Sequence, residues 1–106
     1  MENKLQVFKN EEFGKVRVLE IDGQPWFVGM DVTEILGYSN GSRDINRHVD
    51  EEDRQKYRNG TLEQSNRGVT IINESGLYSL ILSSKLPKAK RFKRWVTNEV
   101  LPSIRR

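Results

Sequence analysis

The sequence contains no cysteine, so neither a disulfide bond nor a thiolate metal site can form. Histidine is almost as scarce. His48 is the single one, so no second histidine can join it in binding a metal. No apolar run approaches the ~18 residues that a transmembrane helix needs, and no signal-peptide pattern opens the chain. We therefore expect a soluble protein of a reducing compartment, with no membrane partner.

Catalytic motifs are missing as well. The chain has no G-x-S-x-G, no P-loop and no metal-ligand spacing. His48 stands beside Val49 at the predicted end of a helix, which favours a structural hydrogen bond over catalysis. The carboxylates of residues 50–53 are neighbours in one solvated turn, where such groups rarely converge on a substrate. The sequence therefore predicts that the protein is not an enzyme and needs no cofactor.

What the sequence does have is an uneven charge. The 106 residues carry a net charge of only +3. Residues 85–106 hold eight basic side chains and one acid, Glu99, whereas residues 1–84 hold ten basic and fourteen acidic ones. This asymmetry indicates a polyanionic partner for the C-terminal segment. The alternative is a solvated helix face whose charge is compensated by acids elsewhere in the fold.

Strand patterns dominate the first 28 residues. Residues 4–10 alternate imperfectly between apolar and polar side chains, residues 14–23 alternate cleanly, and residues 24–28 predict a short third strand. Turns are predicted between the first two strands and at Asp22-Gly23. Residues 54–73 predict further strands, the clearest at 69–72, with a basic hairpin tip before it.

Two helices are predicted to follow the opening strands. The first lies within residues 29–38, where Gly37 supplies its C-terminal stop. The second covers residues 40–50, with Ser42 as its N-cap. The side chains expected in the core are Val32, Ile35, Leu36, Ile45 and Val49.

Two more helices are predicted to close the chain. The third covers residues 74–84, with Asn73 or Ser75 as its cap, and Pro87 suits the first turn of the fourth. The predicted fold is a single α+β domain over residues 1–106. It combines short N-terminal antiparallel strands and hairpins with four short-to-medium helices, the last of them basic and amphipathic.

The last helix has two predicted faces. At 100° per residue, an apolar arc consists of Ala89, Phe92, Trp95, Val96 and Val100. The opposite side carries Lys90, Arg91, Arg94, Thr97 and Asn98, and Lys88 and Lys93 lie at the borders. We expect Phe92 and Trp95 to pack in the core, the alternative being that they stack on nucleic-acid bases.

Such a basic stripe suits nucleic-acid phosphates, because lysine and arginine neutralise backbone charge and release counterions. Arginine and asparagine also read guanine and adenine edges. Three further arginines are secondary candidates, with ion pairs to residues 50–53 as their equally weighted alternative. The predicted nucleic-acid-binding residues are Lys88, Lys90, Arg91, Lys93, Arg94, Asn98, Arg43, Arg47 and Arg67.

Three segments of the chain resemble a known family: PWFVGMDVTEILGYSN, HVDEED and INESGLYSLILSSKLPKAKRFKRWVTNEVLPSIR. They are similar to the Bro-N domain, which is the N-terminal domain of prophage antirepressors and of the BRO proteins of large insect DNA viruses. The resemblance extends from about Phe8 to Arg105 and is most specific at residues 76–78 and 101–105. The second helix, SNGSRDINRHV, is more polar than the family leads us to expect.

The resemblance implies a DNA-binding or regulator-binding module of phage or prophage origin that regulates transcription. From the basic stripe we favour binding to duplex DNA, in the cytoplasm of a bacterial host. It also implies that the chain stops at a domain boundary, before a C-terminal domain. The alternative is a protein-interaction module that binds and inactivates a phage repressor without contacting DNA. Either form is compatible with a homo-oligomer.

Overall fold

The computed structural model describes residues 4–58 and 68–104. Its five strands form one antiparallel sheet in the order β1-β2-β3-β5-β4. The strands are β1 (Lys4–Asn10), β2 (Gly14–Ile21), β3 (Gln24–Val28), β4 (Arg54–Tyr57) and β5 (Val69–Ile72). The three predicted opening strands are therefore confirmed, and the sheet places β1 and β4 at its two edges.

Local turn chemistry explains the two opening hairpins. In the first, the side-chain oxygen Oδ1 of Asn10 accepts hydrogen bonds from the backbone N–H groups of Glu12 at 2.7 Å and Phe13 at 3.2 Å. In the second, Asp22 and Gly23 both have positive φ angles, 52° and 78°. Two such residues form the type I′ turn that matches the twist of a two-residue hairpin.

The helices follow the predicted order. They are α1 (Gly29–Ile35), α2 (Gly41–His48), α3 (Glu74–Ser83), α4 (Lys88–Trp95) and α5 (Leu101–Ile104), with a 3-10 turn at Glu51–Asp53. A π turn, Val96–Val100, joins α4 to α5. The backbone stays helical at both junctions, so residues 88–104 form one continuous helix, here called the terminal helix. The α+β fold with four helices is confirmed.

One prediction about α2 is wrong, because its N-cap is Asn40 and not Ser42. The backbone of Asn40 is extended, with φ −137° and ψ 91°, and its side chain accepts a hydrogen bond from the N–H of Arg43. An N-cap needs that extended backbone so that its side chain can reach the free N–H groups of the first turn. Ser42 is already inside the helix, and it is exposed.

The π turn keeps the apolar side of the terminal helix facing the core. Phe92 and Ile104 are twelve residues apart, so an unbroken α-helix would turn the second side chain by about 120° relative to the first. A π turn takes up one extra residue, which removes about 100° of that rotation. Both side chains are accordingly buried, together with Val96, Val100 and Leu101.

The main core lies between the helices and one face of the sheet. Val16 and Val18 of β2 and Phe27 of β3 meet apolar side chains from α1, α2, α3 and the terminal helix there. The opposite sheet face holds a smaller cluster around Leu19, which Val28 and Ile71 complete. No helix within the described part of the chain is long and apolar enough to cross a membrane.

Candidate nucleic-acid interface

Aromatic packing attaches the terminal helix to the rest of the fold. Phe92 has no exposed surface, and Trp95 is buried beside it. Phe13, from the β1–β2 turn, contacts both rings, edge-on to Phe92 at 5.4 Å and stacked on Trp95 at 5.7 Å between ring centroids. Because Phe92 is enclosed, it cannot stack on a nucleic-acid base. The predicted core position of both rings is confirmed.

The cations opposite these rings face solvent. Lys90, Lys93 and Arg94 are exposed, and we call these three residues the basic face. None of them forms an ion pair with any residue in the part of the chain that the structure describes. Lys88, at the start of the helix, is partly buried. Three like charges without a counter-ion on one rigid helix produce a local positive potential that attracts an anion.

Arg91 differs from its neighbours because a carboxylate of the same chain neutralises it. Its Nη2 lies 2.6 Å from Oε2 of Glu12, and its Nε donates to the same oxygen at 2.8 Å. The hydrogen bond raises the pKa of Arg91 and lowers the pKa of Glu12. The pair links the helix to the β1–β2 turn, so Arg91 adds little net charge to the surface. No local pattern could have revealed this contact, because the partners are far apart in sequence.

The polar residues beyond Arg94 contribute less than the cations. The Thr97 hydroxyl donates to the backbone carbonyls of Lys93 at 3.0 Å and Arg94 at 3.2 Å, so it is already used within the helix. Asn98 is exposed and lines the groove between the helix and the β1–β2 turn. It shares that groove with the carboxylates of Glu12 and Glu99. Asn98 therefore lies at the acidic edge of the basic face.

The structure places Arg43 and Arg47 on α2, whereas the predicted stripe lies on the terminal helix. Both are exposed and lie one turn apart, on the wall of a cleft that also includes Lys85. Neither forms an ion pair with residues 50–53 or with any other described residue. Lys85 contributed to the charge count of the C-terminal segment but carried no signal as a contact residue. Arg67, the ninth predicted residue, lies outside the described residues.

His48, the single histidine of the chain, packs against an aromatic ring. His48 contacts the ring of Tyr38, with the two centroids 5.6 Å apart. In residues 4–58 and 68–104, no three histidine, aspartate or glutamate side chains are grouped closely enough to hold a metal ion. Two groups of exposed cations are the candidate binding surfaces: the basic face on the terminal helix, and Arg43 and Arg47 on α2.

Comparisons with known proteins show which family the chain is similar to. A family model described as "BRO family, N-terminal domain" matches residues 15–102. An uncharacterized protein of Haemophilus influenzae is 36% identical over the whole chain, and Bro-N domain-containing protein 289L of invertebrate iridescent virus 6 is 37% identical over 93% of it. Bro-N domain-containing protein L2 of Acanthamoeba polyphaga mimivirus is 31% identical over 96% of the chain.

These relatives are all longer proteins. The matched region spans 53% of the Haemophilus influenzae protein, 28% of the iridescent virus protein and 46% of the mimivirus protein. The chain thus spans about half of their length or less. No solved structure matches the chain significantly.

Proposed function

Because the chain belongs to the BRO family of N-terminal domains, we propose that it is a DNA-binding regulatory module that contacts duplex DNA through the basic face of its terminal helix. The observation that carries the proposal is the exposure of Lys90, Lys93 and Arg94 on one rigid helix, with no counter-ion among the described residues. Nucleic-acid phosphates are the polyanion for which such a surface is suited, since binding releases the counterions condensed on them.

The anchoring of the helix supports the same proposal. Phe92, Trp95 and the side chains around them hold one side of the helix in the core. A cation on an anchored helix is positioned before the ligand arrives, so less conformational freedom is lost on binding. Lys88 and Asn98 would contact the nucleic acid at the two ends of the basic face. Arg91 would act indirectly, by fixing the helix to the β1–β2 turn.

A matched pair of variants tests the proposal. The first is Lys90→Gln/Arg94→Gln. It removes from the basic face two charges that lie one helical turn from each other. The control is Lys9→Gln/Lys15→Gln, which removes two exposed charges that oppose each other in the β1–β2 hairpin. The alternation of strand side chains places Lys9 and Lys15 on the sheet face opposite the helices. Both variants lower the net charge of the protein equally.

The salt dependence of binding to duplex DNA is the measurement that distinguishes them. Each lost phosphate contact reduces the slope of log affinity against log salt by about 0.9, so the helix variant should lose about 1.8 from that slope. The control should keep the parental slope. Equal slopes for the helix variant and the parent, measured by fluorescence anisotropy, would show that DNA does not bind at the basic face.

More specifically, we propose that the module acts in a phage antirepressor. The alternative function is capture of a repressor protein without contact to DNA. Capture predicts a complex that survives high salt with no DNA present, because it would not depend on counterion release. Size-exclusion chromatography with a candidate repressor at high salt is the test. A salt-resistant complex that the Lys90→Gln/Arg94→Gln variant still forms would favour capture by another surface.

A further inference from the structure

The cleft that contains Arg43 and Arg47 is a separate feature from the basic face. It lies between α2 and the two connections that precede α2 and α4, and its volume is about 490 Å³. Ligand pockets commonly measure about 300 to 1,000 Å³, so the cleft can hold a molecule of nucleotide size. Its cations are Arg43 and Arg47 from α2 and Lys85 from the connection before α4.

The positive charges of the cleft have no partner in the described part of the chain. Arg43 and Arg47 lie four positions apart on the helix, a spacing at which two like charges destabilise it. The one acid that lines the cleft, Asp44, is buried, and its Oδ2 accepts a hydrogen bond from the N–H of Asn40 at 3.1 Å. Asp44 is thus engaged in capping α2. A bound anion would relieve the repulsion between the two arginines.

The two connections that line the cleft are held together before any ligand binds. The Tyr38 hydroxyl donates to the carbonyl oxygen of Leu80 at 2.6 Å, and the Ser84 hydroxyl donates to the carbonyl oxygen of Leu36 at 3.0 Å. Burial raises the pKa of Tyr38, so the phenol keeps the proton that it donates. These bonds join the α1–α2 connection to α3 and to the connection after it. The cleft is therefore preorganised, which lowers the entropy lost on binding.

A glycine permits the close approach of these two connections. Gly37 has a φ angle of +82°, and a Cβ atom at this position would overlap Cδ1 of Leu86. The missing side chain lets Leu86 pack against the α1–α2 connection, and Lys85, the residue before it, lines the same cleft. A residue needed to end α1 thus also shapes the cleft.

The cleft also offers surface on which a flat ring can lie. Tyr38 and His48 contact each other at a tilt of 44°, and Leu86 lines the same cleft. Aromatic side chains stack on nucleic-acid bases of every kind, because each base has a π face. Cations on one part of the cleft and rings on another match the two halves of a nucleotide, a phosphate and a base.

We propose that this cleft binds a nucleoside monophosphate group, with the phosphate held by Arg43, Arg47 and Lys85 and the base lying against Tyr38 and His48. The group would be a free mononucleotide or the 5′-phosphorylated end of a strand, which share this chemistry. The proposal goes beyond duplex binding at the basic face and does not rest on it, because the two surfaces use different residues.

Isothermal titration calorimetry with adenosine 5′-monophosphate tests the site directly. The parent should bind, the Arg43→Gln/Arg47→Gln variant should bind at least tenfold more weakly, and the Lys9→Gln/Lys15→Gln control should bind as the parent does. His48→Ala should weaken adenosine 5′-monophosphate but leave inorganic phosphate unaffected, because it removes only ring contact. Thermal melts verify that each variant is folded.

Single-stranded oligonucleotides with and without a 5′ phosphate identify the source of the group. Binding that requires the 5′ phosphate places a strand end in the cleft, and binding of the mononucleotide alone makes the cleft a small-molecule site. The proposal is overturned if no phosphorylated probe binds at millimolar concentration, or if the arginine variant binds the mononucleotide as the parent does.

Duplex binding keeps the two proposals apart. The Arg43→Gln/Arg47→Gln variant should retain the parental affinity for duplex DNA, whereas Lys90→Gln/Arg94→Gln should retain the parental affinity for the mononucleotide. If the arginine variant loses duplex affinity as strongly as the helix variant, Arg43 and Arg47 belong to the duplex interface and the nucleotide site is refuted. If both variants keep the parental affinity for duplex DNA, the proposed function is refuted and the nucleotide site is not.

Discussion

The contact between Arg17 and Asp31 joins β2 to α1, and its removal should measurably destabilise the fold. Two hydrogen bonds reach Oδ2 of Asp31, one from the backbone N–H of Arg17 at 3.0 Å and one from its Nε at 2.9 Å. A third runs from Nη2 to Oδ1 at 2.8 Å. Arg17 pairs with Val7 of β1, but pairing between β2 and β3 begins only at Val18, so no residue of β3 pairs with Arg17 and the carboxylate of Asp31 bonds its backbone instead.

The exposure of the two side chains sets the magnitude. The side chain of Asp31 is 13% exposed and that of Arg17 is 30% exposed. Breaking a fully buried ion pair costs about 3 to 5 kcal/mol, because the remaining charge loses its partner. The guanidinium of Arg17 can partly rehydrate, which reduces that cost. We therefore expect Asp31→Ala to lower the free energy of unfolding by about 2 to 3 kcal/mol, or the melting temperature by roughly 10 to 15 °C.

Urea unfolding followed by circular dichroism is the assay. The matched control is Glu34→Ala, which removes an exposed carboxylate from the same helix and should change stability by less than about 0.5 kcal/mol. A double-mutant cycle with Arg17→Ala should give a coupling energy of about 1 kcal/mol or more. If Asp31→Ala and Glu34→Ala unfold at the same urea concentration, the carboxylate does not support β2 and the reasoning is wrong.

Three further predictions concern single sites. Asn40→Ala should destabilise the protein by about 1 kcal/mol through loss of the α2 cap, whereas Ser42→Ala should have little effect; equal values in urea unfolding would contradict the cap assignment. The hydrogen bond from Arg91 lowers the pKa of Glu12, so the pair should add stability above pH 4.5, and that stability should be lost as the pH falls through the lowered value. An NMR titration of Arg91→Gln should return the pKa of Glu12 toward 4.5, and an unchanged value would exclude the pair in solution. Phe92→Ala should cost about 3 to 5 kcal/mol, because the side chain is fully buried, and a loss under about 1 kcal/mol by thermal unfolding would mean that the terminal helix is not anchored there.

Much of the fold could be predicted from the sequence, because the signals are local. The alternation of residues 14–23 predicts β2, and Asp22-Gly23 predicts the tight turn after it. Apolar residues three and four apart predict the buried sides of α1 and α3. In each case the residues that make the structure are within a few positions of one another, so backbone geometry and side-chain period decide the outcome.

The candidate surfaces could be predicted only in part. The helical period predicts that Lys90 and Arg94 turn away from Phe92, and both are exposed. That they touch DNA stays a prediction. The period also placed Arg91 in the outward stripe, whereas Glu12, far away in the sequence, pairs with it. The same limitation applies to Arg43 and Arg47, whose spacing contains no indication of Lys85 in the same cleft.

The sequence by itself determined where the chain forms strands and helices, which side of each is apolar, and that positive charge gathers near its C-terminal end. Only the tertiary structure decided which charges stay unpaired. Charge interactions weaken with distance through space and not along the chain, so the sheet order and the helix contacts, rather than sequence spacing, bring Glu12 to Arg91 and leave Lys90, Lys93 and Arg94 facing solvent.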